Sequence, residues 1–184
     1  MNNHSENHLA VKLVRDIQQI PFRMGLDGDP HKLTGEQAGN CLRKSLFLAH
    51  KLPDHGFEVV GFEATPFDWR DLPIPRDIVG KLKDPTDTHV ALHVTQPPHP
   101  DVMRLDIAFD PSMSRLGFPI YEWDGTASMP IAVQPTGPSV MQSAAFLEPR
   151  VALSTLRTTI EKALGHERPK PFSDAFNAWL ARGK

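Results

Sequence analysis

Apolar residues recur at helical spacing in Leu9, Leu13, Ile17 and Ile20, and Pro21 closes the run, so residues 9 to 20 are expected to form an amphipathic helix. A turn-rich stretch with Gly25, Gly28 and Pro30 follows. The next helical pattern, from about Asn40 to Leu52, would bury Leu42, Leu46 and Ala49 and end near Pro53 and Gly56, with Asn40 as its N-cap. Phe57 to Ala64 reads as a strand, and Pro66 to Pro85 as a proline-rich loop able to wall a cleft. The period then becomes two. Thr88 to Thr95 puts Val90, Leu92 and Val94 on one face and His89, Ala91 and His93 on the other; Val102 to Asp110 sets Leu105, Ile107 and Phe109 against Arg104, Asp106, Ala108 and Asp110. The stretch from Pro111 to Phe146 is irregular, with a short strand expected at Ile131 to Val133. Val151, Leu156, Ile160 and Leu164 mark a helix over 150–164, and a last helix capped by Ser173 would bury Phe176, Trp179 and Leu180.

These elements predict an α+β chain, and 184 residues with 40% hydrophobic content suit a single domain over 1–184. A formal net charge of -2 argues against general attraction to nucleic acid or anionic lipid. No run of about 18 apolar residues predicts a membrane span. One cysteine cannot form an internal disulfide, and Met1 to His8 lacks the basic head and apolar stretch of a signal peptide, so a cytoplasmic location is expected. The 18 prolines imply many firm loop corners. There is no Gly-rich phosphate loop, dinucleotide fingerprint or Gly-x-Ser-x-Gly elbow, and no cofactor is expected.

The chemistry of interest begins at Cys41, which heads the second helix, where unpaired N–H groups and the positive dipole end favour a thiolate. Taken alone, such a cysteine is more often a small packing residue. A nucleophile needs a base, and the two alternating strands offer one. Joined as a hairpin through a loop of about four residues at Pro98 to Asp101, they would set His89 opposite Asp110 and His93 opposite Asp106, at Cβ separations of about 5 Å. A register shifted by two would instead set His89 against Ala108, which offers no acceptor, or against Ser112. His93 is then a structural or supporting residue, and Asp106 a surface or supporting carboxylate. A shared metal on His89 and His93 is not expected, since four residues of strand span about 13 Å and metal–nitrogen bonds are near 2 Å.

In this order the residues resemble the transglutaminase-like superfamily of papain-fold cysteine enzymes. Gly39-Asn40-Cys41 with Lys44, Leu46, Leu48 and Ala49 is similar to that family's Gly-x-Cys helix, continuing through Gly56 to Val60 into a strand; His89 to Val94 resembles its histidine strand, and Leu105 to Ser112, with Asp110-Pro111-Ser112, its aspartate strand. The resemblance covers roughly residues 35 to 113. It implies a Cys-bearing helix packed on a small antiparallel sheet with flanking helices, and a catalytic set of Cys41, His89 and Asp110. For the oxyanion it implies the Cys41 backbone N–H and an amide side chain, Gln37 rather than Asn40, because Asn40 already serves as a cap. Leu42, and Arg104 and Leu105, stand where crosslinking members carry Trp, so hydrolysis of a peptide, protein or small amide substrate is expected in preference to crosslinking. Two alternatives follow from the same resemblance: a catalytically silent domain binding a peptide or protein beside Pro66 to Pro85, and an amine acyltransferase such as the arylamine N-acetyltransferases.

Overall fold

The computed structural model describes residues 3–26, 29–143 and 169–183. It is an α+β fold in which helices flank a four-stranded antiparallel sheet of order β3-β2-β1-β4. The strands are β1 (Glu58–Asp68), β2 (Thr86–Gln96), β3 (His99–Leu105) and β4 (Val140–Ser143). The helices are α1 (Asn3–Gln18), α2 (Lys32–Glu36), α3 (Cys41–Lys51), α4 (Arg76–Val79) and α5 (Lys170–Arg182).

Helix α1 begins earlier than its periodic run and buries Ala10, Val14 and Ile17, while Leu9 is 51% exposed. Helix α3 starts at Cys41 as expected, with the Asn40 side chain accepting from the Arg43 N–H at 2.8 Å. A 3₁₀ turn, Leu52–His55, ends the segment at Gly56, whose φ of 79° suits glycine. Strand β1 runs on through Pro66, beyond the end of β4; there the Pro66 carbonyl accepts from the Thr136 N–H at 2.9 Å, and no proline donor is needed. No strand forms over 131–133. The neighbour of β1 is instead β4, supplemented by an isolated bridge from Phe67 to Pro135. Helix α5 starts at Lys170 after Pro169, so Ser173 is a buried residue inside the helix and not its cap. The helix expected over 150–164 lies outside the described residues.

The β2–β3 hairpin is tighter than expected. Its strands extend to Gln96 and His99, leaving only Pro97-Pro98, joined by a cis peptide, as the connection. Leu92 faces Leu105, His93 faces Arg104 and Val94 faces Met103, a shift of two residues from the expected register. A shift of two leaves every side chain on its own face but changes its partner. In addition β3 ends at Leu105, so residues 106–110 leave the sheet while remaining buried.

Two apolar clusters form the interior. One gathers Ala10, Val14, Leu42, Leu46 and Leu48 with the sheet residues Phe62, Val90, Leu92, Val94, Met103 and Leu105. The other is rich in aromatic residues, with Phe22, Phe67, Trp69, Phe109, Phe118, Phe172 and Phe176 beside aliphatic ones. Cys41 packs against both, at the seam between them.

Candidate active site

Cys41 is half-buried at the first position of α3. Its placement depends on Gly39. The Gly39 N–H donates to the Pro21 carbonyl and the Gly39 carbonyl accepts from the Arg23 N–H, both at 3.0 Å, so this residue is stitched to the segment after α1. A Cβ at Gly39 would lie 2.6 Å from Leu33 Cδ1 and 2.9 Å from Lys44 Cγ, a space in which only hydrogen fits. Asn40 then caps the helix through Oδ1 and holds the Leu26 carbonyl through Nδ2 at 3.1 Å. Both ends of its amide are engaged by backbone groups.

His89 lies on β2, 3% exposed, with its ring flanked by Phe67 and Phe109 at centroid distances of 6.3 Å. Its Nε2 is 2.8 Å from Asp106 Oδ2, and the Cys41 sulfur lies close enough to the ring to favour its protonated form. With Nε2 donating to the carboxylate, Nδ1 is the nitrogen left to the sulfur. The result is a continuous chain of thiol, imidazole and carboxylate. Burial by itself disfavours the imidazolium, but the Asp106 charge, its hydrogen bond and the Cys41 sulfur outweigh that penalty, and the His89 pKa is pushed up to about 10. An imidazolium held between a carboxylate and a sulfur favours the thiolate and can return its proton to a departing group.

The carboxylate in this chain is Asp106, not Asp110. The expected pairing of Asp110 with His89 fails because β3 stops at Leu105; Asp106 is the first residue free of the ladder, and its side chain closes a turn onto the Ala108 N–H at 3.4 Å. Asp106 Oδ2 also accepts from the Ala132 N–H at 2.7 Å. Asp110, equally buried, caps the 3₁₀ turn Pro111–Leu116 by accepting from the Ser112 N–H and hydroxyl, and accepts from the Phe22 N–H at 2.7 Å. Since Phe22 bridges to Gly39, Asp110 braces the backbone that delivers Cys41.

The remaining candidates separate from Cys41. Gln37 is exposed, left-handed at φ 50°, and its amide turns back toward the Thr34 carbonyl at 3.4 Å. His93 does not face Asp106. Its Nε2 is 2.8 Å from Glu63 Oε2, which also accepts from Arg104 Nη1 at 3.2 Å. Burial would raise the Glu63 pKa, but hydrogen bonds from His93, Ser139 and Arg104 hold it below the usual value. Among the described residues no group of three or more His, Cys, Asp or Glu side chains could hold a metal ion, and no helix is long and apolar enough to cross a membrane.

Sequence reasoning missed the Ala132 N–H and the Phe67 ring. Ala132 lies in a segment that forms no strand in the structure, and Phe67 falls in the proline-rich stretch from Pro66 to Pro85 that reads as a loop. Comparison with protein-family models, curated proteins and solved structures gives no match.

Proposed function

We propose that the protein is a cysteine-dependent acyl-transfer enzyme with a papain/transglutaminase-like core, hydrolysing an amide, peptide or ester bond through a thioester on Cys41. The observation that carries this reading is the chain from the Cys41 thiol through His89 to Asp106 at a helix start. In the proposed reaction Cys41 Sγ attacks the carbonyl carbon, the bond to the leaving group breaks, and His89 gives that group its proton. Water then loses a proton to His89 and attacks the thioester, releasing the acid and restoring the thiol. Asp106 keeps the His89 ring oriented with Nδ1 toward sulfur throughout. The Cys41 backbone N–H, at the first position of α3, supports the developing oxyanion. Leu42, Arg104 and Leu105 in place of tryptophan favour hydrolysis over crosslinking.

Haloacetamide labelling of Cys41 across pH tests the reading. An ordinary thiol with a pKa near 8.5 labels about ten times more slowly for each unit below that value. Cys41 is expected instead to label at a nearly constant rate from about pH 6 to 8, and His89→Ala to abolish that plateau. Equal, slow labelling in the two proteins would refute the activated thiol. A fast thiol that forms no adduct with any acyl probe would favour a silent peptide-binding domain.

A further inference from the structure

The polar group at Glu63, His93 and Arg104 lies away from Cys41 and has no part in the reaction proposed above, yet it is bonded to the segment that holds Asp106. Arg104 makes four contacts. Its N–H donates to Ser128 Oγ at 3.0 Å, its carbonyl accepts from the Met129 N–H at 2.8 Å, and its Nε donates to the Met129 carbonyl at 3.0 Å. Its Nη1 reaches Glu63 Oε2, which His93 also holds. Two residues further along, Asp106 Oδ2 accepts from the Ala132 N–H. Residues 104–106 and 128–132 are therefore zipped side by side, and the last tooth of the zip is the carboxylate oxygen that His89 uses.

We infer that Arg104 is a positioning residue for the His89–Asp106 pair, acting through the 128–132 strap, with Glu63 and His93 fixing the direction of its guanidinium. The inference rests on the proposed role of Cys41, His89 and Asp106. The fork geometry matters: Nε and Nη1 bind two acceptors at a fixed angle, which the single ammonium of lysine cannot reproduce. Met129 is 2% exposed and Ala132 3% exposed, so both bonded positions of the strap are anchored in the core, although Ser128 and Pro130 face solvent.

The test is the pH profile of Cys41 labelling, a readout that loss of stability alone does not move. Arg104→Met is expected to slow labelling at pH 6 by up to about tenfold and to move the profile toward that of an ordinary thiol, while circular dichroism shows the fold retained. Arg104→Lys should recover only part of the rate. Glu63→Gln, which leaves the backbone contacts of Arg104 in place, should change the profile in the same direction by less, and it carries the test alone if Arg104→Met does not fold. Asp106→Asn is the control. A profile displaced by Asp106→Asn but unchanged in Arg104→Met, or in Glu63→Gln where that stands in, overturns the inference; a profile unchanged in Asp106→Asn as well overturns it together with the function beneath it.

Discussion

Two buried aspartates four residues apart do different work, and each can be tested alone. Asp106 holds the imidazole, so Asp106→Asn removes the charge that favours imidazolium; labelling of Cys41 at pH 6 to 7 is expected to fall by at least about tenfold and to become steeply pH dependent. Asp110 holds backbone. Asp110→Ala leaves the Phe22 N–H without its buried acceptor, and chemical denaturation should show a loss of about 1–3 kcal/mol, with the shape of the labelling profile retained. The opposite pattern, a displaced profile in the Asp110 variant and none in the Asp106 variant, would restore Asp110 to the role its Asp-Pro-Ser context implies. That context is singled out by its resemblance to the family's aspartate strand; in the structure Asp110 caps the 3₁₀ turn that follows it.

The α3 start is the best specified element. Asn40→Ala removes a cap bonded at 2.8 Å and should cost about 1 kcal/mol in a denaturation experiment, with Cys41 labelling slowed as the first turn frays. Gly39→Ala has a harsher expectation, about 1–3 kcal/mol, because its methyl would meet the Leu33 and Lys44 side chains. A Gly39→Ala protein as stable as the parent would show that this approach relaxes freely. The cap and the helix were readable from local chemistry alone. The hairpin is only half readable: alternation assigns the faces of β2, with His89 and His93 on one and Val90, Leu92 and Val94 on the other, but Pro97-Pro98 makes a shorter connection than the sequence suggests and the Leu92, His93 and Val94 pairs are moved by two.

At the scale of the molecule, the His89 ion pair links stability to pH. Its pKa is raised from 6.5 to about 10, so the folded state binds the proton more tightly than the unfolded chain. That contribution is complete below about pH 6.5 and is lost as pH rises toward 10. Thermal melts of the parent and of His89→Gln should therefore converge between pH 7 and 10, and a gap that widens with pH would contradict the pairing. The sequence by itself determined the α+β class, the α3 boundary and its cap, the two-faced strands, and the nomination of Cys41 and His89, because these follow from period, capping and residue type within about a dozen positions. Only the tertiary structure decided that the carboxylate bonded to His89 is Asp106, that Asp110 holds the Phe22 backbone beside Gly39, and that the Ala132 N–H bonds the same Asp106 oxygen. The reason is physical: which carboxylate reaches His89 depends on where β3 stops and on a strap more than twenty residues away, and neither is encoded in local propensity.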